Sequence, residues 1–206
     1  LEALPVPEQL DADALVAVDT AATAVLDLRR WQDFRHGHLP GSLYLVRGPM
    51  MLAAAGSFVE PQEPVVLICE AHEVDASTRA LVRSGLDHVV GWADAATVHA
   101  ALQQRSATTR EISVGEVASA MADASLLDVR STAEHEAASI DGGTLVPHTR
   151  LLERMDQVPD GDLLVLCAGG VRSAMACSLL ERAGHTVTNI AGGMHAYQRH
   201  LQHAGT

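Results

Sequence analysis

The sequence contains no lysine: all 14 of its basic residues are arginine, set against 26 acidic residues for a formal charge of −12. Schiff-base chemistry, a P-loop lysine and lysine-based phosphate binding are therefore excluded from this chain. The acidic balance also argues against nucleic acid and anionic membrane as partners, because both demand a basic surface. An anionic substrate would need a locally built site. Aromatic residues make up only 3% of the chain although 48% of it is hydrophobic, so its core has to be aliphatic. Cysteine is scarce and odd in number, at Cys69, Cys167 and Cys177 with no CxxC pair, which fits neither a disulfide framework nor a cysteine zinc site. A reducing cytoplasm and one reactive thiol are the expectation. No apolar run approaches the roughly 20 residues of a membrane-spanning helix, and the N-terminus lacks a basic-then-apolar signal pattern. Leu1 stands where a methionine would open a primary product, as in a processed chain or a piece of a longer one.

What is present is a repeat. The 206 residues exceed the usual single domain of about 100 to 150, and the chain is similar to itself. Leu26-Asp27-Leu28-Arg29 returns as Leu127-Asp128-Val129-Arg130, and Val65-Val66-Leu67-Ile68-Cys69 returns as Leu163-Leu164-Val165-Leu166-Cys167. Behind each cysteine a helical stretch closes on glycine, Ser77 to Ser84 with Gly85 and Ser173 to Ala183 with Gly184. Each copy opens on an amphipathic segment, Gln9 to Val18 and Val114 to Ala122, followed by a short aliphatic strand. Short buried strands alternating with helices indicate parallel βαβ units. The polar stretch Gln103 to Glu111 is the expected linker, which gives domains 1–107 and 108–206.

The segment Leu163 to Leu180 carries the chemistry. An aliphatic strand stops at Cys167, the small loop Ala168-Gly169-Gly170-Val171-Arg172 comes next, and Ser173 is expected to open a helix. A strand, a glycine-rich turn and a helix start gather backbone N–H groups around one point, which makes an anion site. The helix end and Arg172 together favour thiolate over thiol at Cys167. Phosphatases and arsenate reductases use such a loop with five residues between cysteine and arginine. Here only four intervene, and a shorter loop encloses a smaller centre that suits sulfur transfer.

Cys167-Ala168-Gly169-Gly170-Val171-Arg172-Ser173 resembles the rhodanese loop Cys-x-x-Gly-x-Arg-Ser. Leu127-Asp128-Val129-Arg130 with Glu134 resembles the family's "LDVR…E" opening, and Asn189-Ile190-Ala191-Gly192-Gly193-Met194 its closing "LxGGM" signature. In the first copy Leu26-Asp27-Leu28-Arg29, Asp33-Phe34 and Gly37-His38-Leu39-Pro40-Gly41-Ser42 are similar to the "LDVR" and "GHIPGA" elements. The resemblance implies an α/β chain of two rhodanese-like domains, each a small parallel sheet flanked by helices. Two departures stand out. The second copy reads Ala138-Ser139-Ile140-Asp141-Gly142-Gly143 where "GHIPGA" would be, and in the first copy Cys69 is succeeded by Glu70-Ala71-His72-Glu73-Val74-Asp75. A carboxylate about 6 Å from a thiolate costs on the order of 2 to 3 kcal/mol at an effective dielectric near 20, so these three are expected to silence Cys69.

The resemblance further implies a sulfurtransferase working by double displacement. Cys167 would take sulfane sulfur from thiosulfate or a low-molecular-weight persulfide and pass it to cyanide or a thiol. Ala168, Gly169, Gly170, Val171, Arg172 and Ser173 would line the substrate site, with Ser173 capping its helix. Arg130, at a strand end facing the crevice, is a further candidate contact. Arg172 either complements an anion or turns away to brace the loop against a carboxylate. Cys177 reads as a core residue, and Asp27 and Asp128 as turn residues bonding backbone N–H groups. His195, His200 and His203 lack the spacing of a helical zinc pair, so no metal or other cofactor is expected. An inactive copy ahead of an active one, with the lead-in Leu4-Pro5-Val6-Pro7, also resembles the tail of fusions to a metallo-β-lactamase-fold hydrolase or persulfide dioxygenase. The alternative function is then a non-catalytic module that binds or regulates such a hydrolase.

Overall fold

The computed structural model describes residues 4–204. The chain divides into two compact units, Leu1–Thr108 and Thr109–Thr206.

The first unit is a parallel five-stranded sheet of β1 (Glu8–Gln9), β2 (Ala24–Asp27), β3 (Leu43–Tyr44), β4 (Val65–Ile68) and β5 (Val89–Ala93), in the order β1-β5-β4-β2-β3. Its helices are α1 (Ala12–Val16), α2 (Trp31–His36), α3 (Pro49–Phe58), α4 (Val74–Arg83) and α5 (Ala95–Leu102). The second unit repeats the arrangement with β6 (Arg110–Ile112), β7 (Ser125–Asp128), β8 (Thr144–Leu145), β9 (Leu163–Leu166) and β10 (Val187–Ile190), ordered β6-β10-β9-β7-β8. Here the helices are α6 (Val117–Ala120), α7 (Thr132–Ala137), α8 (Val171–Arg182) and α9 (Gly193–Ala204).

The central strands explain the aliphatic composition. Every residue of β2, β4, β9 and β10 is buried, as a parallel sheet covered on both faces requires. Branched and straight aliphatics fill this space without aromatic rings. One cluster joins Leu15, Val25, Leu39, Val66, Ile68 and Val98 in the first unit, and another joins Ile112, Leu126, Leu164, Leu166, Ile190 and Met194 in the second. Even the register repeats: Asp27 pairs with Tyr44 and Ile68, and Asp128 with Leu145 and Leu166. The two cysteine-bearing strands therefore end at equivalent points, in the crevice where α/β proteins take ligands.

The loops behind the two cysteines differ. In the second unit Gly170 adopts the left-handed conformation (φ +93) and starts α8 at Val171, with residues 173–180 all buried. Helix α8 therefore begins two residues before Ser173. In the first unit a 3-10 turn, Ala71–Glu73, precedes α4, and it is closed by a reciprocal box in which Glu70 accepts from the Glu73 N–H and Glu73 from the Glu70 N–H. A carboxylate-capped turn has replaced the glycine loop.

Candidate active site

Cys167 sits at the end of β9, 1% exposed, and two donors converge on its sulfur. The Gly170 N–H lies 3.0 Å from Sγ and the Ser173 hydroxyl 3.3 Å. Both donate to the sulfur. Ser173 Oγ is also 3.1 Å from the Gly170 carbonyl, so its role lies inside the first helical turn and Gly170 holds the cap position. The N–H groups of Val171, Arg172 and Ser173 belong to that first turn, where a helix offers them no carbonyl of its own. Val171 is 42% exposed at the rim.

The loop is pinned from behind by the Gly192-Gly193 pair. Met194 N–H donates to the Cys167 carbonyl (2.8 Å) and His195 N–H to the Ala168 carbonyl (2.9 Å). Gly193 has φ +54, and a Cβ there would overlap the Cys167 carbonyl oxygen. Only glycine permits this approach.

Both arginines near the loop are consumed by carboxylates. Arg172 Nη1 and Nη2 donate to Glu134 Oε2 and Oε1 at 2.8 and 2.6 Å. Glu134 is held in turn by the Ser131 N–H and hydroxyl at 3.1 and 2.8 Å. The Arg172 bonds outweigh partial burial and hold its carboxyl well below the usual range. Arg130, 3% exposed, grips Asp128 through Nε and Nη2 and donates to the Glu134 and Ala138 carbonyls. Burial pushes Asp128 upward, yet bonds from Arg130 and from His135 Nδ1 (2.9 Å) leave it below its ordinary value. Its Oδ1 accepts the Arg130 N–H at 3.0 Å, and Asp27 accepts the Arg29 N–H likewise. Arg130 thus braces the turn after β7 with all three of its guanidinium nitrogens engaged.

His148 belongs to this neighbourhood and carries no sequence motif. It sits half-buried in the turn after β8, its N–H on the Val129 carbonyl at 3.0 Å. Burial, then the Arg172 charge, lowers its pKa and leaves the ring neutral at pH 7. A lone histidine after Pro147 gives no periodic or spacing signal.

The rhodanese-like domain family model matches residues 10–96 and again 113–200. The chain belongs to the rhodanese family. A curated relative from Allochromatium vinosum, named sulfurtransferase, is 35% identical over 80 residues, covering 38% of this chain and 75% of its own. Among solved structures, a rhodanese-like domain protein from Staphylococcus aureus is 28% identical with TM-score 0.41, covering 43% of this chain and 91% of its own. A thiosulfate sulfurtransferase from Pseudomonas aeruginosa is 19% identical with TM-score 0.39, covering 94% of this chain and 42% of its own.

The first rhodanese domain presents a different counterpart of the loop. Burial, ahead of the charges of Glu73 and Glu70, pushes the Cys69 thiol up to about 12, with Arg47 only partly opposing. Asp75 takes no part, because its exposed carboxylate pairs with Arg79 at 2.8 Å. Desolvation thus outranks the carboxylates, which corrects the purely electrostatic expectation. Cys177 is fully buried in α8, and burial raises its thiol well above the ordinary value. His38 is buried and stacked on Phe34 with ring centroids 4.0 Å apart. Among the described residues no cluster of three or more His, Cys, Asp or Glu side chains could hold a metal ion, and no helix is long and apolar enough to cross a membrane.

Proposed function

We propose that this rhodanese is a sulfurtransferase whose second domain works through a Cys167 persulfide. The observation that carries the reading is the convergence of the Gly170 N–H and the Ser173 hydroxyl on Sγ at 3.0 and 3.3 Å. Family membership and the sulfurtransferase relative support sulfur transfer as the general activity.

In the first half-reaction the Cys167 thiolate attacks the outer sulfur of thiosulfate or of a low-molecular-weight persulfide. The S–S bond of the donor breaks, and sulfite or the donor thiolate leaves with the electron pair. In the second, cyanide or a thiolate attacks the outer sulfur of the Cys167 persulfide, and the Cys167 thiolate leaves. No net oxidant or reductant is needed. Backbone N–H groups from Ala168 to Ser173 hold the transferred sulfur and the leaving anion. Because Arg172 and Arg130 are tied to Glu134 and Asp128, they act as positioning residues that keep the loop in shape.

The test is a thiosulfate:cyanide and persulfide:thiol assay on the full chain, with intact-mass detection of one added sulfur atom. Cys167→Ser is expected to abolish both turnover and the adduct, whereas Cys69→Ser leaves both near wild type. Full activity in Cys167→Ser sinks the Cys167 persulfide, and no adduct with any sulfane donor sinks the reading in favour of a binding module.

A further inference from the structure

The first domain carries a cleft of its own. About 680 Å³ opens at the C-terminal ends of its strands, lined by Arg29 and Arg30 after β2, Arg47 after β3, Glu70 after β4 and one face of α5 after β5. Four consecutive strand ends therefore converge on one polar depression, in the position where parallel α/β sheets bind ligands.

The lining is basic in a chain that is strongly acidic overall. Three guanidiniums face two carboxylates, Asp33 and Glu70, and His36 and His99 also line the cleft. The arginines are not equally spent. Arg29 Nε and Nη2 are engaged by Asp27 and the Gly37 carbonyl, but no bond is made by Nη1 among the described residues. The equivalent Nη1 of Arg130 in the second domain donates to the Glu134 carbonyl at 3.1 Å. Arg47, half-exposed, pairs with Glu73 through a single 2.8 Å contact. Arg30 is exposed, and its side chain has no partner among the described residues. Glu70 is occupied in the turn behind β4, where it accepts the Glu73 N–H. The cationic side of the cleft therefore offers unused donors while one of its two carboxylates is already bonded.

We infer that this cleft binds a small polar ligand through an oxyanion group, with Arg30, Arg47 and the free edge of Arg29 as its contacts. Guanidinium forks match the paired oxygens of phosphate, sulfonate and carboxylate, and no lysine competes for the task. The opposing Asp33 and Glu70 leave room for one such group and disfavour a highly charged polyanion. Cys69 is not among the residues that line the cleft, so the proposed binding involves no thiol.

The test is a titration of the isotope-labelled full chain with inorganic phosphate, sulfate and acetate at low ionic strength, monitored by amide chemical shifts. Saturable shifts at Arg30, Gly37, Arg47 and Ala95 are expected, and the ranking of the three anions tells tetrahedral oxyanions from carboxylates. Arg30→Ala, which removes an exposed side chain that makes no internal bond among the described residues, should weaken binding about tenfold, and Arg47→Ala should do the same. Tryptophan fluorescence from Trp31 and Trp92 verifies that the first domain remains folded in both. Cys167→Ser should leave the affinity unchanged. Absence of saturable shifts at these amides with all three anions overturns the inference, as does an affinity that neither arginine variant lowers or that Cys167→Ser abolishes.

Discussion

Replacing Gly193 by alanine tests the idea that the cysteine loop is held in shape from behind. The residue sits at φ +54, a conformation that costs an L side chain roughly 1 to 2 kcal/mol. Its new methyl would overlap the Cys167 carbonyl oxygen and lie 2.9 Å from the Ala168 carbonyl carbon and oxygen. These are backbone atoms without rotamers to yield, so the overpacking cost of about 1 to 3 kcal/mol applies in full. Backing the loop away breaks the bonds from Met194 and His195 to the Cys167 and Ala168 carbonyls, each worth about 1 kcal/mol. The expected loss is about 4 to 7 kcal/mol, a large part of the roughly 5 to 15 kcal/mol that holds a typical domain together. Amide hydrogen exchange should show β9 and the start of α8 opening about a thousandfold more often or beyond, with sulfur transfer falling in parallel. Trp31 and Trp92 both lie in the first domain, so their fluorescence gives an internal control that should not change. Wild-type protection of β9 together with wild-type turnover would refute the reasoning.

Ser173→Ala removes the hydroxyl 3.3 Å from Sγ; turnover and the iodoacetamide reactivity of Cys167 should both fall about tenfold, and unchanged alkylation would show the contact to be incidental. Glu134→Gln breaks the two-pronged contact with Arg172, and since Glu134 is 36% exposed the loss at neutral pH is discounted to roughly 1 kcal/mol. The folded carboxyl is held below its unfolded value, so its contribution is present above about pH 4.3 and fades as pH falls toward the folded value; urea midpoints of the variant and wild type should therefore converge in acid. Glu181 has the opposite sign: burial, partly offset by a 3.0 Å bond from Thr109, raises it to about 7. Its stabilising effect as the neutral acid is complete below about pH 4.3 and lost as pH rises through 7, so Glu181→Gln should stabilise the second domain by roughly 2 to 3 kcal/mol at pH 8 and by little at pH 4. An equal gain at both pH values in thermal melts would remove the buried-acid reading. Glu70→Gln with Glu73→Gln should leave Cys69 unreactive, because burial is the first cause of its raised thiol; alkylation of Cys69 at a rate comparable to Cys167 would show charge to be decisive instead.

The features legible in the amino-acid order are those whose partners lie close by in the chain. Asp128 and Arg130 are two residues apart, so a strand-end turn and its brace are written in one tetrapeptide, as they are in Asp27 and Arg29. The glycine loop behind Cys167 is equally local. Arg172 reaches Glu134 across 38 positions, and nothing local distinguishes a guanidinium aimed at substrate from one folded onto a carboxylate. Gly193 is similar, since its need for glycine arises from a carbonyl at the end of a different strand. The start of α8 lies two residues earlier than the serine suggests, because Ser173 resembles a cap, whereas left-handed Gly170 takes that position and frees the serine for sulfur. Asp75 departs from expectation for the converse reason: proximity in sequence places it near Cys69, and the helix carries it outward to Arg79.

These departures share a physical origin that bears on how the two domains divide their work. Charge counted along a loop overstates what reaches the sulfur, because guanidinium and carboxylate groups neutralise each other wherever the fold lets them meet. At Cys167 the two neighbouring arginines are fully matched, so the polar work at Sγ falls to a backbone N–H and a hydroxyl, dipoles that act without a counter-ion to compete. In the first domain the matching is incomplete: the Arg30 side chain stands alone among the described residues and Arg47 has one contact.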